Sequence, residues 1–334
     1  MIGLYPEFLR QTTPSKGGFF DALKDVTGLD PLPFSCARAA LVYGLRALGF
    51  NRMDEILVPP FLGQCVLSAL ARTAFPAMTP SRRTKGVLVV HQFGYRQALD
   101  SIEREAAKNG WVVLNDCAHT LFSSYEGEAV LAWGDFSVAS FSKLYPCVLG
   151  GALFSRRAEM IQTVREHQAG LNSGHAHWVE TAYEVLERVK RDPQMPGMEF
   201  EIDAVYGYLP NLVAFPPKAF AGLPSTKTEI LEDIARRKKL LNLIQSYFPT
   251  SVLRRPGSDV VPFAVPVSGE AAVLERISAR IRERFLLDVP VLHFDFACNM
   301  LNPDYRQALM IGCHQSWTEE MVMKMCEYIK GELT

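Results

Sequence analysis

Apolar runs and helically spaced apolar positions alternate along the first half of the chain. The stretch 37–48 keeps a helical spacing, with Ser35 placed to cap its start and Gly49 just beyond its end, which predicts a helix. Residues 56–58 form a short apolar run stopped by Pro59 and Pro60, the mark of a brief buried strand. A second helix is expected over 64–73. The run 86–90 is continuously apolar and reads as strand, whereas 97–109 places apolar residues at 98, 99, 102 and 106, near helical spacing. Another strand follows at 111–114. Such alternation predicts an α/β fold with a mostly parallel sheet flanked by helices on both faces.

Beyond Asp116 the chain turns through polar residues and Gly127, then offers strands at 136–141, ending at Lys143, and at 151–155. Mainly helical spacing covers 158–191, broken near 170–174, and 192–197 is expected to be a loop. A long helix with a charged face spans 226–247. The remainder reads as strand 260–267, helix 270–285, strand 289–294, strand 309–313 and helix 318–331. This pattern divides the chain into a large α/β domain over 1–225 and a smaller α+β domain over 226–334, each long enough to bury a core.

Composition narrows the functional classes. Hydrophobic residues make up 48 %, charged residues 21 %, and the formal net charge is −1. No basic excess points to nucleic acid, and no run of about 18 apolar residues points to a membrane span. The start of the chain lacks a basic stretch followed by an apolar core, so no secretory signal is expected. Seven cysteines, at 36, 65, 117, 147, 298, 313 and 326, include no Cys-x-x-Cys pair, which favours reduced thiols in a cytosolic protein without disulfides or structural zinc. Cys117 reads as a small buried filler. His175 and His177 lack a Cys or carboxylate at ligand spacing, so no metal site is expected. His314 reads as a packing residue.

The candidate chemistry lies between Val112 and Phe154. Asp116 and Lys143, 27 residues apart, each follow an apolar run, and in open α/β sheets ligands collect at the carboxyl ends of strands. A lysine amine can form a Schiff base with a carbonyl, and a carboxylate can hold a pyridine nitrogen protonated. Pyridoxal phosphate chemistry requires both. Taken singly, each residue has a plainer role: Lys143 as a surface lysine and Asp116 as a helix cap.

The order Asp-x-x-His, Gly-Asp, Ser-Phe-Ser-Lys, Gly-Gly, preceded by SCARAALVYGLRALGF, DEILVPPF and HQFGY, resembles the fold-type I pyridoxal phosphate enzymes. Within them it is most similar to the DegT/StrS family of sugar aminotransferases, clearly over about residues 15–155. The resemblance implies an aspartate aminotransferase-like large domain and pyridoxal 5'-phosphate as cofactor. It casts Lys143 as the Schiff-base lysine, two residues closer to Gly134-Asp135 than in family members, and Asp116 as the partner of the ring nitrogen. His119 falls where the family contacts the ring's 3-oxygen. Backbone amides of Ala37 and Arg38, with the Ser140 hydroxyl, would receive the phosphate. Phe61 lies in the segment that supplies a stacking aromatic, although strict alignment puts Gly63 at that position. Asn211, in GYLPN, is similar to an Asn that reaches the phosphate of the neighbouring subunit.

The same resemblance implies a cytoplasmic homodimer with its site at the subunit interface. Glu or Gln would be the amino donor, and a keto sugar, nucleotide-linked, the acceptor. Two rival readings stand beside it: a pyridoxal phosphate-dependent sugar dehydratase or epimerase, and a non-catalytic regulatory or scaffold protein of the same fold. In the dehydratases the Schiff-base lysine is commonly replaced by His, so Lys143 speaks against that version.

Overall fold

Helix α1 (Phe19–Thr27) and strand β1 (Leu32–Phe34) come first in the computed structural model, which describes residues 2–6, 18–171, 173–191 and 199–333. Helix α2 (Ala37–Ala47), β2 (Glu55–Leu57), α3 (Gln64–Leu70), β3 (Phe75–Ala77) and β4 (Thr84–Val90) follow. Helix α4 (Leu99–Asn109) then leads into β5 (Val112–Asp116), the small hairpin β6 (Ser124–Tyr125) and β7 (Glu128–Ala129), and β8 (Phe136–Ser140). A one-turn helix α5 (Phe141–Leu144) separates β8 from β9 (Gly151–Phe154). Three helices, α6 (Ala158–Ala169), α7 (Ser173–Arg191) and α8 (Glu199–Tyr208), precede the long α9 (Lys227–Tyr247). The chain closes with β10 (Ala264–Ser268), α10 (Ala271–Phe285), β11 (Val291–Asp295), β12 (Tyr305–Gly312) and α11 (Glu319–Leu333).

The large sheet has the order β1-β9-β8-β5-β4-β2-β3. From β8 to β3 all neighbours are parallel, and β9 runs antiparallel to both β8 and β1. Val90 therefore pairs with Asp116, and Asp116 with Val138, so the carboxyl ends form one rim. Every residue of β8 is buried, as expected for a strand covered on both faces. The mostly parallel, helix-flanked α/β sheet read from the sequence is the sheet observed. A second, antiparallel sheet of order β10-β12-β11 packs its own core with α9, α10 and α11, including Leu240, Ile244, Ile311 and Trp317.

One glycine sets the height of α2 over the sheet. A Cβ on Gly44 would lie 2.6 Å from the Phe136 ring, so only glycine lets the helix settle against β8. Burying Phe136 there contributes about 2–3 kcal/mol. The start of α2 is thereby brought to the rim. Cys36, not Ser35, occupies its N-cap and makes no side-chain cap, while the Ser35 hydroxyl donates instead to the Leu212 carbonyl.

Several expectations shift in the structure. Lys143 lies within α5 rather than directly at a strand end, and the strand expected at 260–267 begins only at Ala264. Helix α1, β1 and β3 were not anticipated, and the loop expected at 192–197 lies outside the described residues. The long helix starts at Thr226, whose hydroxyl accepts from the Glu229 N–H while the Glu229 carboxylate accepts from the Thr226 N–H, a capping box. Residues 2–6 cross to the antiparallel sheet's side, where Ile2 bridges to Leu287.

Candidate active site

Asp116, Lys143, Ser140, Ala37 and Arg38 all line one cavity of about 690 Å³ at the rim of the large sheet. Strand β5 carries Asp116 and α5 carries Lys143. Asp116 is buried, and its Oδ1 accepts the Ala118 N–H at 2.9 Å. Burial raises its pKa, an effect partly offset by that hydrogen bond and by the Lys143 charge. A carboxylate in this setting lacks a close counter-cation. Lys143 donates from Nζ to the Tyr5 hydroxyl at 3.0 Å, and Nζ sits 4.2 Å from the Tyr5 ring centroid.

His119 stands one turn beyond Asp116, stacked between Phe93 at 5.5 Å and Phe263 at 4.4 Å. Its Nδ1 accepts the Phe93 N–H at 3.4 Å, which assigns the proton of the neutral ring to Nε2. Burial, with the Lys143 charge, pushes its pKa down to about 3, so the ring is neutral at physiological pH. Nε2 is buried and has no hydrogen-bond partner among the described residues. An orphaned buried donor costs about 1–3 kcal/mol unless something bound supplies an acceptor.

The other end of the cavity is built for an anion. The first N–H groups of α2 are uncapped by a side chain, and a Cβ on Gly151 would lie 2.6 Å from Ala37 N, so glycine allows β9 to press against the helix start. Among the described residues, three cations, Arg38, Lys143 and Lys190, line the cavity against one carboxylate, that of Asp116. Lys190, on α7, donates to the Cys147 carbonyl at 3.1 Å, and its desolvated surroundings lower its pKa. The Ser140 hydroxyl lies 3.4 Å from that of Ser142. Arg38 stacks its guanidinium 5.4 Å from the ring centroid of Tyr206 on α8.

Two sequence candidates fall elsewhere. Phe61 adopts a left-handed backbone, φ 58°, and lies flat on His293 of β11 at 4.0 Å, so its ring is directed away from the cavity. Asn211 ends a 3₁₀ turn, Leu209–Asn211, of which Leu209 rather than Asn211 reaches the cavity wall. Sequence reasoning missed Tyr5, Lys190 and Tyr206, all of which line the cavity. No local signal marked them, because each arrives from a distant segment. Among the described residues, no group of three or more His, Cys, Asp or Glu is placed to hold a metal. No described helix is long and apolar enough to cross a membrane.

These residues fit pyridoxal phosphate. Among the described residues, the desolvated Asp116 forms no ion pair and could take a protonated pyridine, His119 Nε2 lacks the acceptor that the ring's 3-oxygen would supply, and Arg38 and Lys190 offer positive charge to a dianionic phosphate. Ala37 and Arg38 bring no hydroxyl, so amides, the guanidinium and Ser140 would have to receive the phosphate.

A sheet of this order, with lysine and buried aspartate facing one cavity at its rim, has the fold of the pyridoxal phosphate aminotransferases. Residues 76–203 match the model of the DegT/DnrJ/EryC1/StrS aminotransferase family. The chain is 30 % identical over 149 residues to the L-glutamine:scyllo-inosose aminotransferase of Streptomyces griseus, covering 39 % of this chain and 35 % of that protein. Over 199 residues it is 28 % identical to the UDP-N-acetyl-3-dehydro-alpha-D-glucosamine 3-aminotransferase of Acidithiobacillus ferrooxidans, covering 53 % and 51 %. The chain thus spans about half or less of the length of these curated relatives. In fold, it superposes on the aminotransferase TlmJ from Streptoalloteichus hindustanus with a TM-score of 0.67 at 17 % identity, covering 94 % of this chain and 89 % of that one.

Proposed function

We propose that the protein is a pyridoxal phosphate-dependent aminotransferase that moves an amino group from glutamate or glutamine to a keto sugar, nucleotide-linked. The observation that carries this reading is the meeting of Asp116 and Lys143 on one cavity that Arg38 and Lys190 also line. The bound cofactor supplies a carbonyl that takes up an amino group and a ring that accepts electrons. Lys143 would hold the cofactor at its carbonyl through Nζ, and its free amine would move a proton as base and then as acid. Asp116 keeps the ring nitrogen protonated. His119 Nε2 would donate to the ring oxygen, and the α2 amides, Arg38 and Ser140 would hold the phosphate.

The substrate class is supported by the names of the relatives, which act on an inosose and on a UDP-linked sugar. A homodimer in the cytoplasm belongs to the same proposal and rests on the family resemblance. Two measurements test the function. Purified protein given pyridoxal phosphate should develop a visible imine band that glutamate discharges, and Lys143→Ala should lose the band and about 10²–10⁴-fold of turnover. A chain that stays colourless at saturating cofactor sinks the enzyme reading and leaves the scaffold reading standing.

A further inference from the structure

We propose that Tyr5 is a positioning residue for Lys143, carried to the lysine by the antiparallel-sheet domain. The contact joins two residues 138 apart in sequence, through both the hydroxyl and the ring face. The hydroxyl oxygen accepts an Nζ–H at 3.0 Å while the π-face lies beneath the ammonium at 4.2 Å. A single long amine held at two points by one side chain loses much of its rotamer freedom, which is what presenting it to a reacting carbonyl requires.

Ile2 and Gly3 anchor the segment bearing Tyr5 to the antiparallel sheet's side. The Gly3 carbonyl accepts from Trp317 Nε1 at 3.1 Å and from His314 Nε2 at 2.8 Å, and the Ile2 carbonyl accepts from the Asp288 N–H at 2.8 Å. Leu4, between Gly3 and Tyr5, is buried in the core cluster that contains Phe136 and Val138 of the large sheet, so the segment ties the two sheets together. The Tyr5 ring also packs on Phe263 at 5.5 Å, and Phe263 in turn stacks on His119 at 4.4 Å. An aromatic path therefore runs from the N-terminal segment to a second residue of the candidate site. Movement of the small sheet against the large one would carry the hydroxyl away from the amine, so the position of one domain decides how firmly the lysine of the other is held.

The relevance of this contact to catalysis rests on the function proposed above, but its test needs no cofactor. The full chain, free of pyridoxal phosphate, is treated with formaldehyde and cyanoborohydride at a fixed mildly alkaline pH, and methylation of Lys143 and Lys190 is quantified by peptide mass spectrometry. Lys190 lines the same cavity without touching Tyr5 and serves as the internal reference. Removing the acceptor frees the amine, so Tyr5→Phe is expected to raise the Lys143-to-Lys190 ratio by about three- to tenfold. Tyr5→Leu, which removes the ring face as well, is expected to raise it further. A ratio unchanged in both variants overturns the proposal. A raised ratio in a protein that forms no imine with pyridoxal phosphate upholds the contact and defeats the enzyme reading instead.

Discussion

Arg237 donates from Nη2 to the carbonyl oxygen of Leu144 at 2.9 Å, so a fully buried guanidinium on α9 grips the residue next to Lys143. Its Nε donates to Asp233 at 2.8 Å, one turn earlier on the same helix, and both side chains are buried. The turn that presents the lysine is thus held by the long helix α9, which also packs the core of the antiparallel sheet.

Arg237→Met should leave the buried Asp233 with only its longer 3.5 Å ion pair to Arg236 and cost about 2–3 kcal/mol, read as a lowered urea midpoint. Replacing both residues, as Asp233→Leu with Arg237→Met, should recover most of that stability. Imine formation at Lys143 should stay slow in the pair, because the Leu144 carbonyl still lacks its donor. Equal stability loss in the single and double variants would contradict this account.

Gly151→Ala should strike the anion end alone. Its new Cβ would meet Ala37 N and the Cys36 carbonyl carbon at 2.6 Å, both backbone atoms that cannot swing aside. Overpacking of this kind costs about 1–3 kcal/mol. The start of α2 should shift, and the affinity for pyridoxal phosphate, measured by fluorescence titration, should fall about tenfold or more while that for pyridoxal changes little. Loss of both affinities in equal measure would place the phosphate elsewhere.

Asp116→Asn should stabilise the cofactor-free protein while disabling the holoenzyme. Because burial raises the folded pKa of Asp116 above its ordinary 3.8, the folded state holds the proton more tightly, and stability falls as pH climbs through that window. Above it, wild type carries a desolvated charge that asparagine avoids, and asparagine keeps the Ala118 hydrogen bond. The melting temperature at pH 7 should rise by about 1–3 °C, with no difference near pH 3, where both side chains are neutral. A lower melting temperature for the variant at pH 7 would refute the desolvation account.

Acid should weaken the fold between pH 6.5 and 4. Burial lowers His91 and His314 from 6.5 to about 4, so both are neutral when folded and take up protons when unfolded. Their stabilisation is present above pH 6.5 and is lost as pH falls toward 4. Urea midpoints measured from pH 7 to 4.5 should decline, and His314→Gln, which can still donate to the Gly3 carbonyl, should flatten the slope. An unchanged slope would show that His314 does not titrate on unfolding.

Asp116 and Lys143 were legible in the sequence because parallel strands impose a common rim, and a rim residue follows its apolar run by one or two positions. Their partners were not. Phe61 lies past the carboxyl end of β2, on the side of the sheet where Asp116 ends β5, but its left-handed backbone sets the ring onto His293, a contact made by a different sheet. Ser35 looked like the cap of α2, yet its hydroxyl is claimed by Leu212, 177 residues away. Helix α1 did carry helical spacing at Phe19, Ala22, Leu23 and Val26, though it is only 9 residues long and starts without a side-chain cap. Tyr5, Lys190 and Arg237 reach the site through tertiary packing, which no periodicity along the chain encodes.

The uneven charge of the cavity, three cations against one carboxylate among the described residues of a chain of formal net charge −1, has a kinetic side. Field lines from the walls converge at the mouth, drawing in doubly charged molecules while the nearly neutral remainder of the surface stays indifferent. Capture of a phosphorylated vitamer should then slow as ionic strength rises past about 0.1 M, where the screening length shrinks to about 10 Å, while release is little affected.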